Sequence, residues 1–210
     1  MPPRRLSPTG RDRLVECIQY LNLDEMRELC QRHGLPLYIH LRKPDGTLKR
    51  SPDRDRKDVV LQRILGLALD GRRRGPTVYE RDVIGDGPLP ARLTARTRIR
   101  YGQYEKKNAH FLETMERLTG GAFRTGMIAR LVLRDFWTGG EAPTLGAFAR
   151  AWIAATEAHR RPRPEGAYLV DLWRGEAGPG WKERRVERAR EALAMLARLL
   201  AGESGGKQPK

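Results

Sequence analysis

The chain has 210 residues, with 41 Lys and Arg against 26 Asp and Glu, a net charge of +15 and a pI of about 10.6. No apolar run approaches the roughly 20 residues of a bilayer span, and two cysteines, Cys17 and Cys30, are too few for a disulfide framework or a zinc ribbon. The N-terminal stretch MPPRRLSPTGRDR has no apolar h-region, so no Sec signal is expected, and a cytoplasmic protein with an anionic partner is the class left.

Taken in chain order, the pattern predicts a mainly α protein. Leu14, Cys17, Ile18 and Leu21 recur at helical spacing over 10–21. A second helix follows with Asn22 or Asp24 as cap and Met26, Leu29 and Cys30 as its apolar stripe; Gly34 and then Pro36 end it. The period then changes to two: Leu37, Ile39 and Leu41 alternate with Tyr38, His40 and Arg42. Alternation on both sides of Asp45-Gly46 predicts a β-hairpin. Helix resumes after Ser51-Pro52-Asp53, with Val59, Val60, Ile64, Leu65 and Leu67 apolar, and stops at Asp70-Gly71.

Arg72-Arg73-Arg74-Gly75-Pro76 opens an irregular stretch that reads as a linker over 76–92, with one β-prone piece, Thr77-Val78-Tyr79. A second helical block runs from 93 to 201. Its stripes are Phe111, Leu112, Met115 and Leu118; then Met127, Ile128, Leu131, Val132 and Phe136; then a segment capped by Thr144. A short helix is expected over Tyr168 to Trp173, a long amphipathic one over 181–201, and a disordered tail over 202–210. The long helix can dimerise or pack on the second block.

The charge excess is spread over folded elements rather than a tail. Residues 1–75 hold 17 basic and 10 acidic groups, a net of +7; residues 76–164 hold 15 and 9, or +6; residues 165–210 hold 9 and 7, or +2. Arg outnumbers Lys by 33 to 8. A GC-rich genome accounts for that ratio but not for the net excess, which points to a polyanion.

The segment LDEMRELCQRHGLP, followed by DRKDVVLQRILGLALDG, resembles a SAP domain, a helix–extended loop–helix module. The matching positions are Leu23, Met26, Leu29 and Cys30, the turn Gly34-Leu35-Pro36, and then Lys57, Val60, Leu61, Arg63 and Ile64. About twenty residues, the hairpin among them, replace the short loop of the family, and Arg56 stands where the family has Gly. The resemblance implies a DNA-binding domain over 1–75. Arg100 to Asn108, Phe111, Thr119 to Phe123 and Pro143 through Trp152 are similar to an uncharacterised bacterial helical domain, which supports an architecture and no chemistry.

Duplex DNA is therefore the expected partner, with single-stranded nucleic acid or RNA and a protein partner as further possibilities. Phosphate contacts are expected from Arg42, Lys43, Lys49 and Arg50 on the hairpin and from Arg54, Arg56, Lys57 and Arg63 around the following helix. Arg72, Arg73 and Arg74, then Arg98, Arg100, Lys106 and Lys107, extend the set, with Tyr101 and Tyr104 as base-stacking candidates. For the start of that helix, a phosphate seat and a salt-bridged helix end built by Asp53, Asp55 and Asp58 both fit. No residue announces base-specific readout, so sequence specificity is expected to be low. The alternative function is a protein–protein adaptor using the second helical block. Cys30 and His33 have no second ligand pair, and no phosphate loop, dinucleotide fingerprint or nucleophile elbow is present; the chain is read as non-enzymatic, with no catalytic residue, metal or cofactor.

Overall fold

A computed structural model describes residues 6–158, 169–171 and 176–201. Its helices and strands are, in order, α1 (Pro8–Ile18), α2 (Leu23–His33), β1 (Tyr38–Arg42), β2 (Leu48–Arg54), α3 (Lys57–Asp70), β3 (Val78–Tyr79), α4 (Ala109–Leu118), α5 (Met127–Thr138), α6 (Leu145–Ala158), β4 (Leu169–Asp171), β5 (Glu176–Ala177) and α7 (Trp181–Leu200). A 3₁₀ turn, Arg81–Val83, follows β3. The described chain is thus mainly helical, with one three-stranded sheet ordered β2-β1-β3 and a two-stranded one, β4-β5. Among the described residues no helix is long and apolar enough to cross a membrane.

The contacts divide the chain into two compact units that alternate along the sequence: Met1–Tyr38, Asp53–Pro76 and Pro162–Lys210 form the first, Ile39–Pro52 and Thr77–Arg161 the second. Local chemistry sets the helix ends of unit 1. Asn22 and Glu25 form a reciprocal capping box, each side chain accepting the other's backbone N–H (2.8 and 2.6 Å), which satisfies two N–H groups orphaned at the helix start. Gly34 and Gly71 close α2 and α3 in the left-handed region, at φ 62° and 64°, where a side chain would be strained. The core joins Leu14, Cys17 and Ile18 of α1 and Met26 and Leu29 of α2 to Val60, Ile64 and Leu67 of α3 and Ala189, Ala192 and Leu196 of α7.

Helix α7 therefore belongs with the first helices. This differs from the expected division into 1–75 and 93–201. Ion pairs add to the apolar seam: Arg13 grips Glu191 through Nε and Nη2 (2.7 and 2.8 Å), Arg188 reaches Glu16 at 3.5 Å, and Arg185 holds Glu25 and the Tyr20 carbonyl. Burial, together with the Cys17 thiol's hydrogen bond to Glu191, pushes that thiol up to about 11, so it sits in the seam as a protonated donor.

Unit 2 is built around rings. Phe111, Phe123, Phe148 and Trp152 pack edge-on, tilted or stacked at centroid distances of 5.2 to 6.4 Å, spacing at which aromatic pairs attract beyond their burial. Tyr79, at 0% exposure, sits edge-on to Tyr101 and Trp137. The expected 76–92 linker is accordingly not a linker over its first half, because Tyr79 and Val83 are core residues and β3 pairs in parallel with β1, His40 opposite Val78 and Leu41 opposite Tyr79. The short helix expected over Tyr168 to Trp173 is also corrected: Leu169–Asp171 is a strand paired antiparallel with Glu176–Ala177. A short apolar run does not distinguish the two periods. The tail expected over 202–210 lies outside the described residues.

Candidate nucleic-acid interface

The expected cations separate sharply once their partners are known. Around α3 they are structural. Arg63 is 3% exposed; its Nη1 donates to Asp55 (2.5 Å) and to the Pro36 carbonyl (3.0 Å), and its Nε donates to the Gly75 carbonyl (3.2 Å). This corrects the reading of Arg63 as a phosphate contact: a buried guanidinium closed by a carboxylate has no face for DNA. Lys57 donates to the Gln19 carbonyl near the end of α1, and Arg56 pairs with Asp58 at 2.9 Å. The start of α3 is thus the salt-bridged one of the two forms considered, which corrects Arg56 and Lys57 as phosphate ligands. Arg54 is half-buried. Beyond α3, Arg72, Arg73 and Arg74 are exposed, with Arg73 donating to the His33 carbonyl (2.6 Å) and Arg74 to Gln62 (3.4 Å).

The hairpin behaves differently. Its turn is closed by Lys43 N–H to Thr47 O (2.9 Å), with Gly46 at φ 80° and Asp45 accepting from both the N–H and the hydroxyl of Thr47 (2.9 and 2.6 Å). Those two bonds hold the Asp45 carboxyl below its ordinary range. Arg42 braces the base, donating to Glu80 through Nε (2.6 Å) and Nη2 (3.2 Å) and to the Gly46 carbonyl (3.1 Å). Lys43, Lys49 and Arg50 stand exposed beyond this brace, and Lys49 makes no ion pair among the described residues.

Glu80, which Arg42 holds, immediately precedes the 3₁₀ turn that begins a charged bowl. The segment 98–101 lies between two others: Ile84 bridges Tyr101, Arg98 bridges Thr144, and Ile99 N–H reaches the Pro143 carbonyl (2.9 Å). This brings Arg98 and Arg100 together with Arg81, Asp82, Asp86 and Glu141 around a hollow of about 670 Å³. Each arginine is anchored by a backbone carbonyl, Arg98 by Ala142 (2.9 Å), Arg100 by Asp82 (3.1 Å) and Arg81 by Ile84 (3.2 Å). Arg81 also pairs with Asp86, whereas Arg98 and Arg100 pair with no carboxylate among the described residues. A guanidinium fixed through one N–H keeps its remaining donors for a phosphate or carboxylate.

Lys106 and Lys107 are exposed just before Asn108, whose side chain caps α4. The two tyrosines are corrected as open stacking platforms. Tyr101 is half-buried edge-on against Tyr79 (5.1 Å) and Trp137 (5.6 Å), and Tyr104 edge-on against Phe111 (5.6 Å), so their rings are committed to the core. Burial raises the Tyr104 hydroxyl above its ordinary value, with the Arg130 charge opposing. Sequence reasoning missed Arg81 and Glu141, which share no motif with Arg98; only the two bridges bring them together. Among the described residues no trio of His, Cys, Asp or Glu could hold a metal ion.

No protein-family model matches the chain, nor does any curated protein or solved structure.

Proposed function

We propose that the protein is a non-enzymatic DNA-binding protein of low sequence specificity, acting in the cytoplasm, and that unit 2 carries the contact surface. One observation carries this reading. The Arg42–Glu80 brace makes the hairpin that bears Lys43, Lys49 and Arg50 continuous with the segment that opens the Arg98/Arg100 bowl. In unit 1, by contrast, Glu16, Asp24, Glu25, Glu28, Asp55, Asp58, Asp70 and Glu191 each face an arginine. Cations such as Lys49, Arg98 and Arg100, held near a surface without carboxylate partners among the described residues, are the ones a phosphate backbone recruits. Such contacts fix position without reading sequence. The order α2, hairpin, α3 also keeps the helix–extended segment–helix plan of the SAP resemblance, with the enlarged middle segment taking over the contact.

The test is an anisotropy titration of labelled duplex DNA with the wild type and with a Lys43→Gln/Lys49→Gln/Arg50→Gln variant. The wild type should bind at low salt, and the variant should bind about tenfold or more weakly, each exposed cation–phosphate pair being worth about 1 kcal/mol or less. Equal affinities would remove the hairpin from the interface; no wild-type binding would end the DNA-binding reading.

A further inference from the structure

A second hollow adjoins the arginine bowl. Val132, Asp135 and Phe136 of α5, Gly139 and Glu141 of the following turn, and Ala151 and Ala155 of α6 line a groove of about 410 Å³, within the about 300–1,000 Å³ typical of small-ligand sites. The groove and the bowl share one lining residue, Glu141; Gly139 belongs to the groove and its neighbour Gly140 to the bowl. Val132, Phe136, Ala151 and Ala155 give the groove's lining an apolar part, and Asp135 and Glu141 are the two carboxylates in it. The two hollows, meeting at Glu141, offer a partly apolar seat, a carboxylate common to both and two anchored guanidiniums in the second.

We propose that this feature holds one unpaired nucleotide: the base lies in the α5–α6 groove, its N–H edge on the Glu141 carboxylate, and its phosphate on Arg98 and Arg100. The inference rests on the DNA-binding reading and specifies the substrate class at that site as DNA with an unpaired end or single-stranded segment. The charge balance of the bowl supports a nucleotide over a bare anion. Arg98 and Arg100 can take a phosphate, while Glu141, which pairs with neither, is left to accept from a donor; a nucleotide presents both an acceptor-rich phosphate and a donor-bearing base. A base in a stack cannot enter such a groove, but an unpaired one can turn its plane onto apolar side chains and its edge onto a carboxylate. Carboxylates accept from exocyclic amino groups, as from cytosine N4. Thymine offers only its N3–H, flanked by two carbonyl oxygens that a carboxylate repels, so cytosine-containing ends bind better than thymine-containing ones.

The experiment compares a blunt duplex, the same duplex with a cytosine overhang and the same duplex with a thymine overhang, each labelled and titrated by anisotropy. The wild type, Ala155→Phe, which fills the groove, and Glu141→Leu, at an exposed position, are titrated in parallel. The wild type should prefer the cytosine overhang to the blunt duplex by about five- to tenfold. Ala155→Phe should abolish that preference and leave blunt-duplex affinity unchanged; Glu141→Leu, which removes the acceptor and keeps the fold if Ala155→Phe does not, should erase the difference between cytosine and thymine. Equal wild-type binding of blunt and overhanging DNA overturns the nucleotide seat alone, as does a preference that both variants retain. Failure to bind any of the three probes overturns the DNA-binding reading itself.

Discussion

Removing the Arg63 side chain would leave Asp55, also 3% exposed, buried without that counter-charge. Breaking a buried ion pair by removing one partner costs far more than replacing both. Arg63→Ala should therefore lower the unfolding free energy by about 3–5 kcal/mol, while Arg63→Met combined with Asp55→Leu should stay near the wild type. Urea denaturation checks this, and equal costs for the single and double variants would show that the pair is not what holds the site. Arg63 ties together the Pro36, Asp55 and Gly75 segments, which lie next to three of the four places where the chain leaves or re-enters unit 1. The same residue fits the SAP pattern and reads in sequence as a phosphate ligand, because a sequence shows that an arginine is present but not what surrounds its guanidinium. Arg42 and Arg98 illustrate the converse: both are held by protein partners and both remain at the surface.

At the scale of elements, what is governed by neighbours in sequence is directly legible. Asn22 three residues before Glu25, Gly34 before Pro36, Asp45-Gly46 between alternating strands and Thr144 before α6 each act within one turn of chain, and each is in place. What depends on distant partners is not. The apolar stripe of α7 carries no address; ion pairs such as Arg13–Glu191, 178 residues apart, and the shared core assign it to unit 1. The start of α6 is a similar case. Leu145 and Gly146 N–H groups donate to the Thr97 and Ala95 carbonyls (2.8 and 2.9 Å), while the Thr144 hydroxyl takes the Ala147 N–H, so a distant loop and a side chain cap the helix together. A Cβ at Gly146 would lie 3.1 Å from the Ala95 carbonyl oxygen, tighter than backbone can relieve by a side-chain rotation. Gly146→Ala should destabilise by about 1–3 kcal/mol through overpacking. A denaturant midpoint equal to or above the wild type's would show that the loop yields freely.

Over the whole molecule, the +15 charge resolves into cations with different duties. In unit 1 Arg13, Arg185 and Arg188 face carboxylates across α1, α2 and α7, where they join the helices, and Arg63 closes on Asp55. In unit 2 the hairpin and the bowl present Lys43, Lys49, Arg50, Arg98 and Arg100 on connected segments, with Lys106 and Lys107 ahead of α4. Net charge indicates the sign of an expected partner from composition alone, but the division of labour depends on ion pairs that join residues far apart in the chain. Binding that rests on neutralising phosphates releases counterions, and its affinity falls with salt in proportion to the contacts made. The most direct measurement is the duplex-DNA affinity of the intact chain across a series of salt concentrations. About six to eight neutralised phosphates predict a log–log slope of about −5 to −7; a slope near zero, or no binding at the lowest salt, would contradict the assignment of this surface to DNA.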